Sequence, residues 1–256
     1  MNRIVRRLLK ISAVAVTTVA LLILVVLPVT AAALGPALLR GAGLSSQQLS
    51  VKMNTGLALL GGVVDQVQIS SGPLDVAGRF HSADASIDLV GANLGNNTFS
   101  SLVVDASEPV ATMASGEVVS ARSLHAQGPA DALIATARFS TADIAGILAL
   151  PVVAARVGFQ TVSVTLTDGA VLISTPTQSF EARLSVDASG RLWLARDGVA
   201  PALIWAATGP DAADWQLTSV TIDKDGVTAT ARFDGTAFLA RYPNLFGLLG
   251  GFVPSK

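Results

Sequence analysis

Thr161-Val-Ser-Val-Thr-Leu-Thr-Asp-Gly-Ala-Val-Leu-Ile-Ser174 decides the fold. From Thr161 to Thr167 polar and apolar residues alternate strictly, the period of a half-buried strand. Asp168-Gly169 then supplies a hairpin turn, since glycine accepts positive φ without steric cost. Val171 to Ser174 is the returning strand.

The same grammar extends in both directions. Phe180, Ala182, Leu184 and Val186 line one strand face, and Asp187-Ala-Ser-Gly190 turns the chain toward Leu192 and Leu194. Val220 and Ile222 precede a turn at Asp223-Lys-Asp-Gly226, after which Val227, Ala229, Ala231 and Phe233 alternate again. Upstream, Val67 and Ile69, Leu74 and Val76 after the Gly72-Pro73 turn, and Ile87 and Leu89 start further strands. One apolar and one polar face per strand is the pattern of antiparallel sheet over a single core.

Helices are fewer. Ser140-Thr-Ala-Asp143 is suited to cap a helix through Ile144, Ile147 and Leu148 to Pro151, resuming to Arg156. Ser45-Ser-Gln-Gln48 resembles a capping box, and Leu49, Met53, Leu57 and Leu60 follow at helical spacing until Gly61-Gly62. The apolar, glycine-containing stretch Phe238 to Phe252 predicts another helix. The expected fold is α+β: a long, curved antiparallel sheet with a few helices on one face.

One internal echo stands out. Ala135-Thr-Ala-Arg-Phe139 recurs as Ala229-Thr-Ala-Arg-Phe233, with a weaker variant at Val76-Ala-Gly-Arg-Phe80. Each full copy ends a predicted strand, and an apolar segment follows each. The echo fits a duplicated strand-then-helix unit, or two strands with similar edge chemistry.

The first forty residues carry a different signal. Arg3, Arg6, Arg7 and Lys10 lead into an uncharged run, Ile11 to Leu27, and no acidic residue precedes Asp65. A bilayer span needs about 20 apolar residues, and a basic flank stays cytoplasmic. Residues 1–40 are therefore expected to be a signal-anchor or a signal peptide, with Thr30-Ala-Ala-Ala33 offering an Ala-x-Ala cleavage pattern. Residues 41–256 are expected to form one exported domain in the cell envelope, tethered to the membrane through Ile11 to Leu27, or secreted if the leader is cut.

Composition removes several function classes. Setting aside the four cations before Ile11 leaves 13 basic against 18 acidic residues, a net of −5. Nucleic acid would need a basic face, so it is not an expected partner. Without cysteine there are no disulfides, thiolate metal sites or Cys nucleophiles, which suits a bacterial envelope better than a small secreted eukaryotic domain. The two histidines, His81 and His125, have no acidic neighbour at metal-ligand spacing. No nucleophile elbow or phosphate-binding glycine loop occurs. Asp168, Asp187, Asp223 and Asp225 are explained as turn residues, and nothing in the spacing selects Asp84 with Asp88, or Asp105 with Glu108, as an acid–base pair. The expectation is a non-enzymatic protein with no catalytic residue, no metal and no cofactor.

Apolar surface remains. Ile144 to Leu150 and Phe238 to Phe252 carry more hydrophobic bulk than a short amphipathic helix needs. Core packing is one reading; a groove for lipid chains, lined by Ile144, Ile147, Leu148, Phe238, Leu245 and Phe246, is the other. A diacyl lipid of roughly 30 methylenes, at ~0.8 kcal/mol each, costs more than about 20 kcal/mol to expose to water. A dry groove replaces that loss without any chemistry on the lipid.

The chain resembles the LmeA-like phospholipid-binding family of actinobacterial cell-envelope proteins. The matching pieces are the leader, Gly56 to Ile69, Ala137 to Leu148, the hairpin Val162 to Ser174 and the hairpin Ser219 to Ala231, together covering most of residues 50–243. The resemblance implies a tubular-lipid-binding-like fold, a periplasmic or cell-wall location, a phospholipid or lipid-linked glycan as partner, and a supporting role in envelope glycolipid assembly. It carries no catalytic motif. The chain departs from the family in its low arginine content and in the weakly patterned stretch Gly91 to Gly128, which reads as an insertion. The rival expectations are a scaffolding envelope protein that docks another protein through its apolar C-terminal segment, and an enzyme acting on envelope glycans.

Overall fold

A computed structural model describes residues 44–46, 49–54, 63–76, 80–93, 98–112, 118–161, 163–206 and 215–237. The leader and the stretch containing Phe238, Leu245 and Phe246 lie outside the described residues.

The described chain runs through β1 (Leu44–Ser46), β2 (Leu49–Asn54), β3 (Val63–Ser71), β4 (Leu74–Val76), β5 (Phe80–Ser82) and β6 (Asp84–Asn93). It continues through β7 (Ser101–Ser107), β8 (Val110–Thr112), β9 (Val118–Ser120), β10 (Ser123–Pro129) and β11 (Leu133–Phe139). Two helices follow, α1 (Thr141–Ala149) and α2 (Pro151–Val157). A meander then runs through β12 (Ser163–Thr167), β13 (Ala170–Ser174), β14 (Ser179–Val186), β15 (Leu192–Arg196) and β16 (Val199–Trp205). The hairpin β17 (Trp215–Asp223) and β18 (Gly226–Phe233) completes the strands.

These strands form three antiparallel sheets. The largest has eight strands in the order β17-β18-β11-β10-β7-β6-β3-β2; β12 to β16 form a five-stranded meander in sequence order; β1-β4-β5-β8-β9 form a second five-stranded sheet. The architecture is thus mostly antiparallel sheet with a few helices, as the alternation implied. Among the described residues no helix is long and apolar enough to cross a membrane.

The quoted hairpin folds as written. Thr167 pairs with Ala170 across a turn in which Gly169 has φ +85°, and Val164, Leu166, Val171 and Ile173 are buried. The turn at Asp187 closes β14 onto β15, and Asp223 faces Gly226 at the end of β17 and β18. α1 begins with a reciprocal cap: the Asp143 amide donates to Ser140 Oγ at 3.2 Å, and the Ser140 amide donates to Asp143 Oδ2 at 2.8 Å. It stops at Leu150, which has ψ 131°, because a residue preceding proline is pushed out of the helical region. Pro151 then restarts the helix at its first position, and Gly158 ends it with φ 73°.

One expectation is corrected. Leu49 to Asn54 is a strand on the edge of the large sheet, paired with β3 from Leu49↔Ser71 to Asn54↔Gln66. Leu49 and Met53 satisfy helical and strand periods alike, but the apolar Val51 between polar Ser50 and Lys52 fits only the strand. The weakly patterned stretch Gly91 to Gly128 holds regular strands. It supplies β7 and β10, both interior strands of the large sheet, with Leu102, Val104 and Ala106 buried on one face. Val103, exposed between Leu102 and Val104, hid the period.

The core falls into two regions. Val64, Val67, Ile69, Ile87, Leu89, Leu102 and Val104 fill one along β3, β6 and β7. The other joins Ile144, Leu148 and Val153 of the helices to Val171, Ile173 and Leu194 of the meander and Val227 of β18. This second region holds the candidate site.

Candidate functional site

Between α1, α2, the meander and the β11, β17 and β18 end of the large sheet lies a cavity of about 400 Å³. Ile144, Ile147 and Leu148 of α1 lie on its wall, as does Leu150 between the helices, followed by Val152 and Val153 of α2. The meander adds Val171, Leu184, Leu192, Leu194 and the run Leu203 to Ala206; β17 adds Leu217 and Val220. The three described residues of the sequence-derived groove thus come together on one wall. Phe238, Leu245 and Phe246 lie outside the described residues.

The floor of the cavity is made by the echoed pentapeptides. β11 and β18 are neighbours in register, with Ala135↔Ala231, Thr136↔Thr230 and Ala137↔Ala229. The two copies therefore pair with each other about a local two-fold centred on Thr136 and Thr230. Residues opposite one another in an antiparallel pair share a face, as do residues two apart on a strand. The four alanines consequently form one patch of small side chains, and all four line the cavity. Neither strand is at an edge, so edge chemistry does not explain the echo. Each copy is followed by a capped helical start: Ser140 opens α1, and Asp234 Oδ1 accepts from the Ala237 amide at 2.8 Å.

Among the described lining residues only Arg156 carries a charge. It sits in the last turn of α2, where the helix dipole favours a cation. Its Nη1 donates to the Ile204 carbonyl at 3.1 Å, and it forms no ion pair among the described residues.

The polar candidates lie elsewhere and are dispersed. His81 is in β5, opposite Asp75 and Val110. His125 is in β10, with Nδ1 2.6 Å from Asp105 Oδ1 on β7. That hydrogen bond raises the histidine pKa against the opposing effect of burial. The partner is 20 residues away, reachable only through strand register, which is why residue spacing missed it. Asp84 accepts from Ser107 Oγ at 3.0 Å, and Asp88 from the amides of Gln66 and Gln68. Glu108 occupies the corner after β7 with φ 49°. A shallow depression of about 370 Å³ beside Lys52, Gln68, Asp88 and Asp105 is the polar counterpart of the apolar cavity. No group of three or more potential metal ligands occurs among the described residues.

No family model, curated protein or solved structure matches this chain.

Proposed function

We propose that this is a non-enzymatic lipid-binding protein of the cell envelope, exported behind the basic-apolar leader, that shelters acyl chains of phospholipid or of a lipid-linked glycan precursor. In this reading the antiparallel sheet with its helices is a tubular-lipid-binding-like fold, as the family resemblance implies, and the protein supports envelope glycolipid assembly. The observation that carries it is the cavity: about 400 Å³, with a lining that among the described residues is apolar apart from Arg156. Small-molecule sites usually hold roughly 300–1,000 Å³ and place a few polar groups in an apolar wall. Each methylene transferred from water into such a wall contributes ~0.8 kcal/mol, so exchange with a bilayer needs no covalent step.

The test is native mass spectrometry of the full chain produced in bacteria, with lipid extraction of the same sample. A co-purified acyl lipid near one per chain supports the proposal. A protein that emerges empty and takes up no added phospholipid overturns it.

A further inference from the structure

We infer that the cavity accepts an anionic phospholipid, with an acyl chain against the alanine floor and its phosphate at Arg156. This rests on the lipid-binding reading above and adds the charge of the head.

Head charge follows from the lining. A guanidinium set into an apolar wall loses hydration that only a counter-charge or hydrogen bonds restore. Arg156 is half-buried, and one of its five N–H groups is spent on the Ile204 carbonyl. That bond fixes the planar fork at the cavity wall and leaves N–H groups for an anionic oxygen pair, the geometry arginine meets bidentately in phosphate. Among the described residues no acidic side chain lines the cavity to claim them. A zwitterionic head brings its own cation to a wall whose described residues offer it no anion.

The experiment uses the full chain in phosphatidylcholine nanodiscs, labelled with a lysophosphatidylglycerol carrying a diazirine in its C16 chain. Crosslinked peptides are mapped by mass spectrometry, and unlabelled lipids compete. The expected result is one label per chain on α1, α2, the meander, β11 or β18. Lysophosphatidylglycerol should displace it at a concentration at least tenfold lower than lysophosphatidylcholine. Arg156→Gln should abolish the preference for the anionic head while cavity labelling persists, and Arg156→Lys, which keeps the charge, should retain part of it. Circular dichroism of both variants establishes that they are folded; if Arg156→Gln is not, the Arg156→Lys comparison decides. Labelled walls with equal displacement by both lyso lipids, or an unchanged preference in the variants, would overturn the head assignment. In those cases acyl binding itself stands, whereas absence of label from the cavity wall removes both it and the inference.

Discussion

Asp105 and His125 face each other across β7 and β10 at 2.6 Å, on side chains that both remain substantially exposed. Asp105 holds the imidazole pKa above its ordinary value of about 6.5 by a hydrogen bond and by its charge, with burial opposing. Because the folded value is raised, the pair's contribution to stability is complete below the unfolded value and is lost as pH rises through the raised one. Asp105→Asn should lower the His125 pKa in an NMR titration and flatten this dependence in denaturation curves; an unchanged titration would show that the pair does not form in solution. At Gly190 two demands coincide. Its φ is +71°, and a Cβ there would lie 2.9 Å from Gln216 Cγ and 3.0 Å from the Leu217 amide nitrogen. Gly190→Ala should therefore cost about 2 kcal/mol or more in urea unfolding, whereas Gly198→Ala, at φ +73° with open space around it, should cost less.

At the scale of elements, α1 is the clearest case of sequence written into structure. Ser140 and Asp143 cap it reciprocally, and Asp143 also accepts from Ser120 Oγ of β9, tying the helix start to the neighbouring sheet. Burial pushes the Asp143 pKa up, but the hydrogen bonds from Ser120 and Ser140 outweigh it and hold the carboxyl below its usual range. A depressed pKa means this contribution is complete at neutral pH and is lost as pH falls through the depressed value. Ser140→Ala should destabilise by about 1 kcal/mol, and Asp143→Asn should weaken the acid dependence of thermal unfolding; an unaltered acid limb would argue against the network. The cap was legible because its partners lie three residues apart. Ser120, 23 residues upstream, was not. The strand β2 was misread for a related reason: its Leu49 and Met53 are compatible with two periods, and pairing with β3, which no local window contains, decided between them.

At the scale of the molecule, the repeated pentapeptide explains why a cavity exists at this end of the sheet. Sequence showed two copies of Ala-Thr-Ala-Arg-Phe; it could not show that they are register partners, because strand order is set by long-range pairing. Once paired, their alanines place four methyl groups where four larger side chains would otherwise meet the helices. The same arrangement sends Thr136, Arg138, Thr230 and Arg232 to the opposite face, leaving the floor free of charge. If the patch exists to leave room for a ligand, refilling it should cost binding more than folding. Overpacking a close-packed core destabilises by typically about 1–3 kcal/mol, but bulk added here enters empty space. Ala137→Phe with Ala229→Phe, directly opposite one another, should abolish acyl-lipid uptake in native mass spectrometry while thermal stability falls by less than that range or rises. Ala142→Phe, an exposed position on α1 away from the lining, serves as the control. A doubly substituted protein that stays folded and still carries one lipid per chain would place the ligand elsewhere on the molecule, and the alanine patch would then be a packing device between β11 and β18 alone.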